Sequence, residues 1–329
     1  MSTISIYPQF EQKTDKQSGS FIDLMVDDFG LKLIPFSCAR SATVVGLKSL
    51  GLTRLEEMLI PSYLGQCVLS ALSKCTFPSL TLSDRTKAIM VFHQFGFPQN
   101  IDEIKTLAND KKLFILNNCA HSLYPTKENH LTSDLVDFSV VSFSKFFPCA
   151  LGWGAATQNA DLSSKMSELS SQASDWSSTA LRTMRDYYSG NIKKENISFE
   201  INALYGYLPD AYAFPEEILH SLPTSSEAIQ NDIKHRKGIW ELAKNAIGDS
   251  LPSASSDFIP FAVPLLAEET KLINISNWIM EKFSIEAPVL HFDTHCNMLN
   301  PNYKKALIIG CHSQWDTDIV DEIFKEFKK

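Results

Sequence analysis

The sequence lacks the short motifs that mark many nucleotide, metal and nucleophile sites. The nucleotide-binding patterns GxGxxG and GxxxxGK[ST], the GxSxG of serine hydrolases and the HExxH of zinc peptidases are all absent. No CxxC pair is present, which excludes a zinc or redox site built on that spacing. Any active site must therefore be assembled from residues that lie far apart in the chain.

Long apolar runs and clustered basic residues are missing too. No stretch reaches the roughly 20 apolar residues that a membrane helix needs, and residues 1–16 do not have the pattern of a signal peptide. The formal charge is −8 and the lysines and arginines are dispersed, which argues against a nucleic-acid-binding surface. We expect a cytoplasmic protein that binds neither membrane nor nucleic acid.

Size and composition are those of an ordinary globular protein. The 329 residues suffice for two domains, with 44% hydrophobic and 21% charged residues. The seven cysteines are odd in number, scattered and mostly placed in apolar runs, which predicts reduced thiols used as small core residues. They are Cys38, Cys67, Cys75, Cys119, Cys149, Cys296 and Cys311.

Strand-like and helix-like patterns alternate between residues 37 and 155. Apolar residues at helical spacing predict a helix over Arg40–Leu50 that ends at Gly51, and Asn100 with Glu103 forms a capping box for another helix. Short apolar strands are predicted at 58–60, 88–92, 113–116 and 136–143. Strands separated by helices indicate parallel pairing, with helices on the sheet faces.

The pattern changes in the second half of the chain. Residues 161–188 are rich in serine yet keep a helical apolar stripe, so we predict one long amphipathic helix there. After residue 222, two helices, two strands and a last helix capped by Thr317 indicate a compact α+β unit. We predict a large α/β domain over 1–222 and a small domain over 223–329.

One lysine stands in uncharged surroundings. Lys145 lies in the run VVSFSKFFP, residues 140–148, with Gly152 and Gly154 close behind. Burial among aromatic rings disfavours an ammonium, lowers its pKa and produces a free amine that can attack a carbonyl. The alternative is a lysine whose stem covers the aromatic rings while its ammonium reaches water, and the local sequence alone favours that alternative.

Several segments occur in the order and spacing of one known family. They are SCARSA (37–42), IPSY (60–63), TKAIMVFH (86–93), LNNCAH (116–121) and SFSKFFP (142–148). With them the chain resembles the DegT/DnrJ/StrS family of pyridoxal-phosphate-dependent sugar aminotransferases nearly from end to end. The resemblance implies an aspartate-aminotransferase-like fold of type I, with a large α/β domain whose sheet is mainly parallel and a small C-terminal α+β domain.

The resemblance also implies a cofactor, pyridoxal 5′-phosphate, and the residues that hold it. Lys145 aligns with the lysine that binds the cofactor covalently and moves the substrate proton, and His121 aligns with a residue beside the cofactor, so both are expected to be catalytic. Arg40, Ser41 and Ala42 begin a helix whose N-terminus suits a phosphate. The expected cofactor-binding residues are Arg40, Ser41, Ala42, Asn118, His121, Ser142 and Lys145.

Three positions depart from the family pattern. Asn118 replaces the aspartate that pairs with the pyridine nitrogen, and a carboxamide cannot stabilise a proton there by charge. Ala39 and Arg40 replace a Gly-Thr or Gly-Arg pair, and Gly65 falls where an aromatic residue often covers the ring. These changes affect the rate of transamination more than the binding of the cofactor.

The function implied by the resemblance is transfer of an amino group from glutamate to a keto-sugar carried on a nucleotide, as in polysaccharide biosynthesis, by a homodimer. Two alternatives stay open, namely a pyridoxal-phosphate-dependent sugar dehydratase or deoxygenase, and a non-catalytic homologue. A rival site is suggested by His291, Asp293 and His295, which share one face if the chain is extended there and could chelate zinc or iron. Such a run on one strand is a weak signal, and we expect no metal.

Overall fold

The computed structural model describes residues 4–9, 20–149, 152–171, 214, 219 and 221–329. The helices and strands of these residues are, in chain order, α1 (Phe21–Phe29), β1 (Ile34–Phe36), α2 (Ala39–Ser49), β2 (Glu57–Leu59), α3 (Gln66–Leu72), β3 (Phe77–Ser79), β4 (Thr86–Phe92), α4 (Ile101–Lys111), β5 (Phe114–Cys119), β6 (Phe138–Ser142), β7 (Trp153–Ala156), α5 (Ala160–Ser170), α6 (Ser226–Ile247), β8 (Ala262–Leu266), α7 (Glu269–Phe283), β9 (Val289–Asp293), β10 (Tyr303–Gly310) and α8 (Thr317–Lys328).

Seven strands form the larger sheet of the described residues, in the order β1-β7-β6-β5-β4-β2-β3. Strands β3, β2, β4, β5 and β6 pair in parallel, whereas β7 pairs antiparallel with both β6 and β1. Strand β7 is therefore the one strand of this sheet that runs against the others. The predicted α/β architecture with a mainly parallel sheet is confirmed, and the reversed strand is an addition to it.

Each face of the large sheet carries its own helices, and this decides where side chains point. Met90 and Leu116 pack with α2, α3 and α5 on one face, while Ile89 and Ile115 pack with α4 on the other. Successive side chains of a strand alternate between faces. Asn118, two residues after Leu116, therefore points to the face that α2 covers.

The smaller sheet has the strand order β8-β10-β9 and is antiparallel throughout. Its apolar residues share one buried cluster with α1, with the lysine segment and with α6 to α8. Within this cluster the Phe261 ring, just before β8, lies 5.6 Å from the ring of Phe146, the residue after Lys145, between centroids. The small C-terminal unit thus packs directly against the segment that holds Lys145, and the division at residues 222 and 223 stays a prediction.

Most of the predicted helices and strands are present in the described residues, with one exception at a helix end. Helix α4 begins as expected, because the Asn100 side chain accepts the Glu103 amide at 3.5 Å. The last helix is capped by Asp316 and not by Thr317, since the Asp316 carboxylate accepts the amides of residues 318 and 319. Of the long helix predicted over 161–188, the structure describes α5, and residues 172–188 lie outside the described part of the chain.

Candidate functional site

Lys145 lies in a tight turn that directly follows strand β6. The amides of Phe146 and Phe147 both donate to the carbonyl of Phe143, at 2.9 and 2.8 Å. The Ser142 hydroxyl accepts the Lys145 amide at 3.3 Å. Ser142, which sequence analysis expected near the cofactor, therefore shapes the turn that presents the lysine.

The Lys145 amine is close to His121. Its Nζ lies 2.8 Å from His121 Nε2. The pKa of Lys145 is lowered from 10.5 to about 8, mainly by burial and to a smaller extent by the positive charge of Arg40, against an opposing effect of Cys67. Burial, together with the charge of Lys145, lowers the pKa of His121 well below 6.5, so this imidazole is neutral at neutral pH.

The hydrogen bonds of His121 fix which atom of the pair carries the proton. Its Nδ1 accepts the amide proton of Phe95 at 3.1 Å, so the proton of the neutral ring is on Nε2. The Nε2–H group must then donate to Lys145 Nζ, and Nζ can accept only if it has a free lone pair. This hydrogen bond forms with the uncharged amine of Lys145, and the lowered pKa of about 8 makes that form accessible near neutral pH.

Two phenylalanines hold the imidazole in this orientation. The Phe261 ring is stacked on His121 at 4.3 Å with an interplanar angle of 5°, and Phe95 is stacked at 5.7 Å and 12°. Both rings lie nearly parallel to the imidazole, and its two nitrogens contact the Phe95 amide and Lys145 Nζ. The polar atoms of His121 are thus used by the backbone and by the lysine.

Asn118 ends strand β5 with a buried side chain. Its Oδ1 accepts the Ala120 amide at 3.1 Å, and its Nδ2 has only a weak contact, 3.9 Å from Met90 Sδ. A sulfur is a poor acceptor, so the Asn118 amide group remains a good donor on the face that α2 covers. It suits an unprotonated pyridine nitrogen, which accepts a hydrogen bond.

The start of α2 lies near the amine but uses much of its own polar capacity. The Ser41 hydroxyl donates to the Cys38 carbonyl at 2.7 Å, and the Ala42 amide donates to the same carbonyl at 3.1 Å. The hydroxyl of Ser41 and the amide of Ala42 are thus engaged in the helix cap. Of the three residues expected to bind a phosphate, Arg40 is the one whose charge reaches Lys145.

These residues fit pyridoxal phosphate in one particular form. The amine of Lys145 matches the aldehyde of the cofactor. The amide group of Asn118, on the sheet face that α2 covers, matches the ring nitrogen. Arg40, at the N-terminus of α2, matches the phosphate. The carboxamide of Asn118 favours a ring whose nitrogen carries no proton. The donor set therefore suits the cofactor, with a weaker electron sink than an aspartate would give.

The rival metal site is not assembled. Strand β9 ends at Asp293, whose carboxylate accepts the amides of His295, Asn297 and Asn302. His291 is stacked on Tyr63 at 4.1 Å. No group of three or more His, Cys, Asp or Glu in the described residues is arranged around a metal position. The strand ends at Asp293 and the chain turns there, so His295 does not continue the extended run of His291 and Asp293.

Sequence analysis missed Tyr7, Phe95 and Phe261, which surround the Lys145–His121 pair. They come from the N-terminal segment, from the turn after β4 and from the segment before β8. No local pattern marks them, because each is an ordinary aromatic residue in its own stretch of sequence. The seven described cysteines are free, as expected, and no helix in the described ranges has the length and apolar character of a membrane span.

Comparison with known proteins places this geometry in context. A model of the DegT/DnrJ/EryC1/StrS aminotransferase family matches residues 80–199. The lipopolysaccharide biosynthesis protein RfbH of Salmonella typhimurium is 20% identical over 240 residues, which cover 67% of this chain and 53% of RfbH. The chain thus spans about half the length of this curated relative.

Two solved structures have the same fold over most of their length. DesI, solved in the presence of its TDP-sugar product, has a TM-score of 0.66 and 14% identity, covering 94% of this chain and 83% of DesI. The aminotransferase TlmJ from Streptoalloteichus hindustanus has a TM-score of 0.66 and 13% identity, covering 98% and 92%. The aspartate-aminotransferase-like fold predicted from the sequence is therefore confirmed.

Proposed function

We propose that this protein is a pyridoxal-phosphate-dependent aminotransferase acting on a keto-sugar, since a model of the DegT/DnrJ/EryC1/StrS aminotransferase family matches residues 80–199. The observation that carries the proposal is the amine of Lys145, which lies 2.8 Å from His121 Nε2 and has a pKa lowered to about 8. A surface lysine would be almost entirely an ammonium at neutral pH and could not attack a carbonyl. The lowered pKa makes the free amine of Lys145 accessible near neutral pH.

Each residue of the site has a definite task in this proposal. When bound, pyridoxal phosphate supplies the electron sink and carries the amino group between substrates. Lys145 would supply the amine that holds the cofactor through its aldehyde and would move the substrate proton at Nζ. His121 would favour the unprotonated form of Nζ through its Nε2–H group, and Asn118 would offer its amide group as a donor to the ring nitrogen.

The finer parts of the proposal are a nucleotide-linked sugar, glutamate as amino donor, a homodimer and a cytoplasmic location. The sugar nucleotide is supported by the TDP-sugar in the DesI structure, which has the same fold. A role in polysaccharide biosynthesis is supported by the likeness to RfbH, a lipopolysaccharide biosynthesis protein. The glutamate donor, the homodimer and the location stay predictions.

Asn118 favours a second candidate, a pyridoxal-phosphate-dependent sugar dehydratase or deoxygenase. A neutral carboxamide leaves the ring nitrogen without the charge that an aspartate would provide, and the ring is then a weaker electron sink. A reaction that uses the protonation state of the ring differently would tolerate this change. A non-catalytic homologue is the remaining alternative.

Cofactor binding is tested with purified protein and added pyridoxal phosphate. We expect a new visible absorbance, and borohydride reduction followed by peptide mass spectrometry should find the cofactor on Lys145. Lys145→Ala should lose both signals, whereas Lys127→Ala, a change at another lysine, should keep them. A protein that gives no spectral response, or that is modified only on other lysines, would contradict the proposal and favour the non-catalytic homologue.

Glutamate then separates the two enzymes. An aminotransferase should convert the bound cofactor to its amine form when glutamate is added, with release of 2-oxoglutarate. A dehydratase or deoxygenase that binds the cofactor at Lys145 should show the absorbance without releasing 2-oxoglutarate. The second result would replace the first candidate function with the second.

A further inference from the structure

The N-terminal segment Ile4–Gln9 is bound to the C-terminal unit. The Ser5 carbonyl accepts hydrogen bonds from His312 Nε2 at 2.8 Å and from Trp315 Nε1 at 2.9 Å. The Ile4 carbonyl accepts the Glu286 amide at 2.7 Å. His312 and Trp315 are both buried, so these bonds satisfy donors that would otherwise be costly.

Further bonds hold the rest of the segment in place. The Gln9 amide donates to Gln314 Oε1 at 2.8 Å, and Gln314 Nε2 donates back to the Gln9 carbonyl at 3.3 Å. The Ser5 hydroxyl bonds to both the amide and the carbonyl of Tyr7, at 3.2 and 3.1 Å. The backbone on both sides of Tyr7 is therefore fixed, and the position of its ring is a consequence of these contacts.

The segment Ile4–Gln9 places Tyr7 next to Lys145 and His121. Its ring centroid lies 5.1 Å from Lys145 Nζ, 5.7 Å from the Phe261 centroid and 6.5 Å from the His121 centroid. The hydrogen bonds of Tyr7 among the described residues involve its backbone and not its hydroxyl.

A purely structural role explains this position poorly. Tyr7 is 39% exposed, so its ring adds little to the apolar core. A tyrosine whose hydroxyl makes no hydrogen bond is also less suited to packing than an apolar residue. What the ring does cover is a polar group, the amine of Lys145. Without the ring, water would reach Nζ from this side and would favour the ammonium.

We propose that the segment Ile4–Gln9 forms a wall of the active site, and that the Tyr7 ring in this wall excludes water from the Lys145 amine. The proposal deepens the proposed function, because it gives a role to the N-terminal segment in the same reaction. The wall is carried by the C-terminal unit, so any movement of that unit on the large sheet would move Tyr7 relative to Lys145.

The test measures access to Lys145 in the protein without cofactor. The protein is treated with acetic anhydride over a range of pH, and acetylation of the Lys145 peptide is quantified by mass spectrometry against that of an exposed lysine, Lys304. Above the amine's pKa of about 8 the rate reaches a plateau that depends on access alone. We expect Tyr7→Ala to raise this plateau several-fold, and Tyr7→Phe, which keeps the ring, to leave it at the wild-type value.

Matched variants distinguish a wall from a general loosening. Tyr63→Ala removes another partly exposed tyrosine, stacked on His291 and not on Lys145, and should not change the plateau. Gln314→Ala loosens one end of the segment and should raise the plateau less than Tyr7→Ala. If the plateau in Tyr7→Ala equals that of wild type, or if Tyr63→Ala raises it equally, the proposal is wrong. Because no cofactor is present, neither result depends on whether the protein is an aminotransferase, which the absorbance experiment decides separately.

Discussion

Two kinds of neighbour favour the uncharged form of Lys145, and they act in different ways. His121 donates its Nε2–H to the lone pair of Nζ, which directly stabilises the neutral form, while the surrounding aromatic rings withhold the water that an ammonium needs. The first effect is a hydrogen bond and the second is a lack of solvation. They can be separated by substitution.

Replacement of His121 by alanine should raise the pKa of Lys145. The variant loses the donor to Nζ and leaves space between Phe95 and Phe261 that water can enter, so the pKa should move from about 8 toward 10.5. A rise of about one pKa unit corresponds to roughly 1.4 kcal/mol of lost preference for the free amine. The measurement is the pH midpoint of Lys145 acetylation, with exposed His295→Ala as control. A midpoint that stays near 8 would show that burial alone sets the pKa.

Asn118→Asp should have opposite effects with and without the cofactor. The carboxylate can keep the bond from the Ala120 amide, but its second oxygen would replace a donor at a buried site near Met90 Sδ. Without cofactor we expect a loss of about 1–3 kcal/mol in the free energy of unfolding, the cost of an unsatisfied buried polar group. With cofactor we expect a faster transamination rate, because the carboxylate stabilises the protonated ring nitrogen.

The neighbouring asparagine provides the control for this variant. Asn117 points to the opposite sheet face, where its Oδ1 accepts from His93 Nε2 at 2.7 Å. Asn117→Asp should therefore not increase the transamination rate. A rate that is unchanged or lower in Asn118→Asp would contradict the placement of residue 118 at the ring nitrogen.

At the scale of elements, helix α6 braces the turn that carries Lys145. Arg236 is fully buried on this helix, donates through Nε to Asp232 at 2.7 Å and through Nη2 to the Phe146 carbonyl at 3.2 Å. Tyr124 donates to the same carboxylate at 2.6 Å. A charge network in the small C-terminal unit thus fixes the residue next to the lysine.

Removal of the arginine from this network should lower the free energy of unfolding. Arg236→Met leaves the Asp232 carboxylate without its charge partner, and removal of one member of a buried ion pair typically costs about 3–5 kcal/mol. The double variant Arg236→Met/Asp232→Leu should recover much of that loss, since no charge stays unpaired. Urea unfolding measures both. Lys244→Met breaks the exposed pair with Glu241 and should change stability by less than about 1 kcal/mol. Equal losses in the single and double variants would contradict this account.

Elements were predictable where their cause is local. The caps and apolar stripes of α2 and α4 are formed by residues close together in the sequence. The alternation of strands with helices was enough to predict the parallel part of the sheet. The reversed direction of β7 was not predictable, because it depends on pairing with β1 from far along the chain. The position of Lys145 came from a resemblance, whereas Tyr7 reaches it only through contacts of Ser5 with His312 and Trp315, which no local pattern encodes.

At the scale of the whole molecule, two buried histidines make the fold sensitive to acid. His93 donates to Asn117 and His312 donates to Ser5, and burial lowers the pKa of each from 6.5 to about 4. As the pH falls below 6.5, the unfolded chain binds protons at these two residues while the folded chain does not. Stability present at neutral pH is therefore lost between pH 6.5 and about 4.

Each of these histidines should remove about 3 kcal/mol of stability by pH 4. The measurement is the urea midpoint as a function of pH from 7 to about 4. His93→Phe should be less stable at neutral pH, because it loses the bonds to Asn117 and to the Gln99 amide, but its midpoint should fall less steeply with acid. Parallel curves for the variant and the wild type would show that His93 is not one of the groups that take up a proton.

The contact of Ser5 with His312 and Trp315 has a consequence for biosynthesis. The side chains that bind the Ser5 carbonyl follow it in the chain by 307 and 310 residues. The segment Ile4–Gln9 therefore has these partners only after residues 312 and 315 have left the ribosome. Until then the Tyr7 ring is not held against Lys145, which has been translated long before.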